Sequence, residues 1–436
     1  MADGGPGSSD SEIPSDDSAT ADAEQIPKNA LTYYADAKPI IDSRCVRCHT
    51  EGGIGPFPLT TYEEVKALKA SVKNAVQERI MPPYLAGQKC TEYKHDTSLT
   101  DSQIETITKW VDQGAYKGDP ANEGEPLPEV KAGLSRVDDT LQIPKAYKPQ
   151  RSPDDYRCFP IEWNGKKTKY VTGFGVEPDK DQIVHHVIAY LADPSLSDEI
   201  EKKDKAEDGP GYTCFGGPGV GNSGSAGNSV GWLAAWAPGG EGMDFPKETG
   251  IEVEKGSTII LQMHYNTLTA DPVADQTEIL LKYADSVANP AMFIPFADPD
   301  WTGSDSTMDI PAGADGVSHT FTYDIASLVG SSVEIYDVFF HMHQLGEKGR
   351  LWIDKKGGNS DCLLNIPRWD FDWQRGYRLK QPRTLNKGDE LGIECTWDNT
   401  RSNQPVINGE RQSPRKVEWG EGTQDEMCLG VLYVTL

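Results

Sequence analysis

Five consecutive residues, Cys45-Val46-Arg47-Cys48-His49, set two thiols three positions apart beside an imidazole. This is the spacing of covalent c-type haem attachment, in which the thiols add to the porphyrin vinyl groups and the histidine becomes an axial iron ligand. Met81, in Arg-Ile-Met-Pro-Pro-Tyr, best fits the second axial position: it follows a helical stretch and precedes two prolines that hold the chain extended, with His95 as the alternative. His/Met ligation raises the haem potential. The chemistry expected of this segment is electron transfer through one covalent haem c.

A second set of residues points to metal chemistry. Of the eight histidines, five stand inside apolar, strand-like runs: His185 and His186 in Ile-Val-His-His-Val-Ile, His264 in Leu-Gln-Met-His-Tyr, and His341 and His343 in Phe-Phe-His-Met-His-Gln-Leu-Gly. An uncompensated imidazole is costly to bury there. Five in three such runs, with only His95 and His319 reading as ordinary surface residues, favour ligation over a satisfied core. Side chains alternate faces along a strand, so His341 and His343 can grip one ion while Met342 faces away. By the same rule His185 and His186 diverge, and shared ligation requires a bulge or a strand end there. Imidazole suits copper, and a thioether favours its reduced form. The methionine to examine is Met427, in Gln-Asp-Glu-Met-Cys-Leu-Gly, which taken alone reads as a core residue.

The elements that must position these groups divide the chain. Residues 1–29 are Ser, Asp, Gly, Ala and Glu with little apolar content, and such a composition cannot offset the entropy of ordering. They read as a disordered acidic tether. Residues 30–118 form a small all-α cytochrome c domain: Thr60 with Glu63 predicts a capping box before a stripe of Val65, Leu68, Val72 and Val76. Thr100 with Gln103 predicts a second, before Ile104, Ile107, Trp110 and Val111, with Gly114 as the stop. Residues 119–140 are a linker rich in Pro, Glu and Gly. Beyond it come β-branched and aromatic runs, 170–174, 183–191, 258–265, 333–343 and 431–435, separated by turn residues. Their combined length exceeds one sandwich, so two tandem antiparallel β-sandwich (jelly-roll) domains are expected, 141–290 and 291–436. The Gly-rich stretch 216–231 lacks the Lys and the strand-to-helix context of a phosphate loop and reads as a surface loop.

Composition narrows the setting. A formal charge of −26 excludes nucleic acid and anionic membrane as partners, since both would repel it. No run of about 18 apolar residues is available to span a bilayer. Met1 leads into polar residues with no signal peptide, which reads as a processed or trimmed mature terminus. Covalent haem and eight cysteines indicate an oxidising compartment, so a periplasmic or secreted location is expected, with the first segment able to tether the protein to a membrane surface.

His-His-Val, Leu-Gln-Met-His-Tyr, His-Met-His-Gln-Leu-Gly and Asp-Glu-Met-Cys, in that order, resemble the copper type II ascorbate-dependent monooxygenases, whose members include the peptidylglycine alpha-hydroxylating and dopamine beta-monooxygenases. The resemblance runs from about Tyr156 to Leu436. It implies two jelly-roll domains, each with a copper ion, facing one another across a solvent-filled cleft. By the motif matches His185, His186 and His264 hold the electron-transfer copper, with Gln262 beside it. His341, His343 and Met427 hold the oxygen-binding copper and are the catalytic set. Trp236 with Pro238, and Cys158, fall in similar local sequence. Six cysteines remain after the haem pair and allow fifteen pairings. The resemblance favours Cys395 with Cys428, and among the other four Cys158 with Cys214 is preferred.

Two departures bear on function. Peptide-amidating members place an Arg two residues before His-x-His and polar groups after Met-Cys, where this chain has Phe339 and Leu429 with Gly430. An anionic peptide terminus would find no partner, so the substrate is expected to be a neutral or apolar small molecule, with Phe339, Phe340 and Leu345 forming an apolar cleft wall. The cytochrome is the second departure, and its simplest role is to supply electrons. Dioxygen is expected to bind at the His341, His343, Met427 copper, and an external donor must recharge the haem. The alternatives are a copper–haem electron carrier without oxygen chemistry and, less favoured, a copper-binding adhesion protein.

Overall fold

The computed structural model describes residues 26–436 apart from 52–54, 129–132, 164, 215–216, 222–229, 237–239, 241, 268–269, 303–304, 408, 421 and 423. Most of the expected tether, most of the Gly-rich stretch and Pro238 therefore lie outside the described residues. The chain separates into two compact units, one made of 1–81 with 99–128 and the other of 82–98 with 129–436.

The first unit is helical. A turn of π-helix, Tyr33–Ala37, runs into Lys38–Arg44, followed by Tyr62–Ala67, Lys69–Gln77 and Asp101–Asp112. The expected capping box at Thr60 is shifted by one: Thr61 Oγ1 accepts from Glu64 N, and Glu64 Oε2 accepts from Thr61 N. Glu64 is the acid that reaches back because Glu63 pairs instead with Lys117 at 2.6 Å. The Thr100/Gln103 box forms as the spacing predicts. Ile107 and Trp110 from the last helix meet Tyr33, Val65 and Val76 in one core, and Gly114 ends the helix at φ 120°, a conformation that favours glycine.

Residues 82–98, expected in the helical domain, pack with the β-rich unit for identifiable reasons. Cys90 is bonded to Cys362, Gly87 N donates to Asn365 O at 2.7 Å and Lys94 N to Arg378 O at 2.8 Å. Buried Tyr93 donates its hydroxyl to Leu363 O.

The second unit is built from two β-sandwiches. A five-stranded sheet, in the order Tyr212–Thr213, Asp154–Glu162, Thr258–Asn266, Val184–Ala192, Val230–Trp236, belongs to the first. A four-stranded sheet, Val317–Tyr323, Glu390–Trp397, Gly346–Asp354, Ser360–Ile366, belongs to the second. A nine-stranded sheet serves both. Its Asn289–Phe296 strand pairs in parallel with Thr249–Val253 of the first sandwich through Asn289 and Pro290, and antiparallel with Leu429–Thr435 of the second. The seam is packed and polar contacts cross it: Tyr433 and Thr249 hydroxyls are 2.8 Å apart, and buried Arg378 holds Asp337 with both carboxylate oxygens and donates to Asp244 O. Shared backbone pairing of this kind resists free hinging of one sandwich on the other. The remaining disulfides, Cys158–Cys214 and Cys395–Cys428, join those pairs.

Candidate metal centres

The first cluster sits at a strand irregularity. Val184 pairs with Tyr265 and His186 with His264, which leaves His185 as an extra residue on its strand. This bulge turns two consecutive side chains toward one point. The ligand atoms of His185, His186 and His264 all lie within 4.8 Å of one another. His186 Nδ1 is 3.4 Å from His185 Nδ1 and 3.2 Å from His264 Nδ1. His264 Nε2 donates to Asp154 Oδ1 at 2.9 Å, which fixes its tautomer and leaves Nδ1 with a lone pair. Its ring stacks on Tyr156 at 4.1 Å and 7°. Burial lowers the basicity of all three, His186 and His264 well below the ordinary imidazole value. Three neutral imidazoles converging on one point fit a divalent or monovalent copper ion.

The second cluster is organised by the opposite nitrogens. His341 Nδ1 donates to Gln374 Oε1 at 2.6 Å and His343 Nδ1 to Asp425 O at 3.0 Å, leaving both Nε2 lone pairs available. The two rings are 4.9 Å apart. Burial pushes His341 down to about 4 and His343 to about 3. Met342, between them, faces the core and is fully buried, as strand alternation requires. Met427 is placed by its neighbours. Cys428 is bonded to Cys395, and Glu426 accepts from His343 N, Leu345 N and Trp397 Nε1 at 2.9, 2.6 and 2.8 Å. Burial pushes this carboxyl up to about 7, against the pull of those donors. A thioether and two imidazoles lining one cavity suit a copper that cycles through its reduced state.

Both clusters open on one cavity of about 720 Å³, within the range of small-molecule sites. Tyr190, Trp232, Trp236, Phe293, Phe339 and Leu429 line it together with Met427 and Gln262. Among its described lining residues there is no Lys or Arg, and Asp372 is the one carboxylate. Phe340 and Leu345 do not contribute to this wall. Both are buried in the core of the second sandwich, because Phe340 lies on the opposite strand face from Phe339 and His341, and Leu345 turns inward after the strand.

In the helical unit Cys45 and Cys48 are in no disulfide, whereas the other six cysteines all are. His49 N donates to Cys45 O, and the buried His49 ring donates Nδ1–H to Phe57 O at 2.9 Å, leaving Nε2 as its ligand atom. A Cβ at Gly55 would lie 2.6 Å from His49 Nδ1, so glycine is needed for this fit. The thiols and imidazole thus have the chemistry a covalent haem requires. Met81 is partly buried where the chain leaves this unit, and His95, the alternative ligand, belongs to the 82–98 segment that packs in the β-rich unit.

Asp154, Gln374, Glu426 and Phe371 are functional neighbours that motif reading passes over. For Glu426 alone a local signal exists, an acid abutting Met427 ahead of an apolar terminal strand. The others meet their histidines only through the fold.

The copper type II ascorbate-dependent monooxygenase N-terminal domain model matches residues 140–272 and its C-terminal domain model residues 305–435, together more than half of the chain. DBH-like monooxygenase protein 1 of Homo sapiens is 24% identical over 365 residues, 78% of this chain and 55% of that protein. Its Gallus gallus counterpart is 23% identical over 276 residues, 59% of this chain and 40% of that protein. The chain thus spans about half the length of these relatives.

Proposed function

We propose, starting from the fact that this chain belongs to the copper type II ascorbate-dependent monooxygenase family, that it hydroxylates a C–H bond of a neutral or apolar small molecule with dioxygen and receives electrons through its own haem. His185, His186 and His264 would hold the electron-delivering copper, and His341, His343 and Met427 the oxygen-binding one. Bound copper supplies oxygen activation and single-electron transfer. The reaction balances as R–H, O₂, two electrons and two protons giving R–OH and water.

The chain's own residues orient and enclose this chemistry. Asp154 keeps the His264 lone pair on Nδ1, while Gln374 and the Asp425 carbonyl keep those of His341 and His343 on Nε2. Trp232, Trp236 and Phe339 offer apolar and aromatic surface to a substrate body. The observation that carries the substrate reading is the cavity between both clusters with no cation among its described lining. A substrate carboxylate there would be desolvated without a partner, at a cost that a neutral molecule avoids.

Cys45, Cys48 and His49 would attach the haem, with Met81 as the sixth ligand. A haem carries one electron and hydroxylation needs two, so an external donor, a redox protein or small reductant, must recharge it. Three disulfides fit a secreted or lumenal protein, and periplasmic placement with a surface tether completes this reading. No helix among the described residues is long and apolar enough to cross a membrane.

Labelled dioxygen tests the activity. Copper-loaded protein with reductant should place one labelled oxygen atom in a neutral apolar substrate and leave glycine-extended peptides nearly untouched. Efficient peptide hydroxylation would overturn the substrate class, and copper binding without any incorporation would favour an electron carrier. Stopped-flow reoxidation tests the haem: His185→Ala should slow it sharply with the resting haem spectrum unchanged.

A further inference from the structure

One loop of the second sandwich touches both metal clusters. It runs from Pro367 to Arg375, between the Ser360–Ile366 and Gly376–Leu385 strands. Its base is fixed to the second cluster: Trp369 Nε1 donates to His343 O at 2.9 Å, and Gln374 accepts from His341. Gln374 Nε2 in turn donates to Phe371 O at 2.9 Å, so the residue that orients His341 also sets the position of Phe371. The Phe371 ring then stacks on His185 of the first cluster at 5.1 Å and 25°, and presents itself edge-on to His343 at 6.1 Å and 85°. A phenyl ring therefore stands between a ligand of one metal and a ligand of the other.

Phe371 is only partly buried and lines the cavity instead of joining the hydrophobic cores. Packing alone does not call for an aromatic residue at this place. The His185 and His343 rings lie 5.1 and 6.1 Å from the Phe371 ring, so the gap it occupies is a short one.

We propose that Phe371 is a positioning residue that sets how closely the two metal sites approach, within the frame given by the shared sheet. The inference rests on the two-copper reading above. Its consequence concerns the fate of oxygen. Coupled turnover delivers two electrons and two protons to O₂ and inserts the other oxygen atom into R–H. When the second electron is late, O₂ leaves with one electron as superoxide, and two superoxides with two protons give hydrogen peroxide and O₂. A ring that holds the sites together favours the first outcome.

The test uses the full chain loaded with copper and reduced by ascorbate, comparing wild type with Phe371→Ala, Phe371→Tyr and Phe371→Leu. Pulsed electron paramagnetic resonance of the oxidised protein reads the copper–copper separation, and peroxide released per O₂ consumed reads coupling. Phe371→Ala should lengthen and broaden the separation, slow transfer between the sites and raise the peroxide share severalfold. Phe371→Tyr should restore both, and the single-site spectra should not change, because no ligand is altered. If Phe371→Ala does not fold, Phe371→Leu fills the volume without a stacked ring and should show the same two changes. Wild-type separation or a wild-type peroxide share in the variant that folds overturns the proposal. A wild-type protein that binds fewer than two coppers overturns the functional reading itself, and is seen before any variant is made.

Discussion

The two metal clusters use the same imidazole in opposite senses. In the first, three Nδ1 atoms converge and the far nitrogen of His264 is tied to Asp154. In the second, both Nδ1 atoms are tied off, which leaves the Nε2 lone pairs, and both histidines line the cavity together with Met427. The first depends on a backbone irregularity; in the second His341 closes a strand and His343 lies just beyond it, held by the Asp425 carbonyl and by Glu426. An all-nitrogen set suits a site that passes electrons between oxidation states. A set with a soft sulfur suits a site that must dwell in the reduced state. Each difference can be broken separately.

The largest effect is expected at the sulfur. Met427→Ala should abolish oxygen-dependent turnover while copper stays at His185, His186 and His264 and haem absorption stays intact. Copper content and turnover measured together check this, and retained hydroxylation would show that the thioether is no ligand.

Acid should act next, on the metal-free protein. His341, pushed to about 4, and His343, pushed to about 3, are neutral in the fold but take protons near 6.5 when unfolded. Their contribution is complete above pH 6.5 and is lost progressively down to about pH 3. Glu426, raised to about 7 from 4.5, runs the other way: its contribution is present below pH 4.5 and is lost as pH rises through 7. Two depressed histidines outweigh one raised carboxyl, so apo stability should fall between pH 6.5 and 4, and copper should move that loss to lower pH. Thermal melts with and without copper read this. A flat apo profile would mean that the clusters are hydrated.

The orienting partners should give smaller and site-selective losses. Asp154→Asn should weaken copper binding at the first site by about 10- to 100-fold and spare the second, and Gln374→Ala should do the reverse. Titration followed by site-resolved spectra separates them, and equal loss at both sites from either variant would merge two sites into one coupled unit.

What the sequence made legible follows from periodicity. The Thr100 cap and the strand runs are local consequences of spacing and appear at those positions, although the strand expected over 333–343 ends at His341 and leaves His343 just beyond it. The alternation rule shows that His185 and His186 need a bulge or a strand end to share an ion, but which of the two forms depends on how two distant strands register. The nine-stranded sheet joining the sandwiches depends on a pairing between Asn289 and Thr249 that no motif marks. Nearness in sequence puts Phe340 and Leu345 in the expected cleft wall, but nearness along a strand is not a shared face, and both lie in the core. Gln374 and Phe371 lie in a loop without pattern, more than 30 residues from His341 in the case of Gln374.

The smallest effect sharpens the first site alone. Tyr156 stacks on His264 at 4.1 Å, whereas His343 of the second site is held by hydrogen bonds, its ring donating to the Asp425 carbonyl and its backbone N to the Glu426 carboxylate. A parallel aromatic pair contributes about 0.5–1.5 kcal/mol beyond its buried area. Tyr156→Leu keeps apolar volume against the ring and removes the stacking face, so copper affinity at the first site should fall by roughly threefold to tenfold, within that range. The second site should be unaffected. Because Asp154 still fixes the His264 tautomer, the ligand atom stays the same, and the site's spectrum should keep its three-nitrogen signature while binding weakens. A changed signature would show that the phenol ring, and not the carboxylate, decides which nitrogen faces the metal.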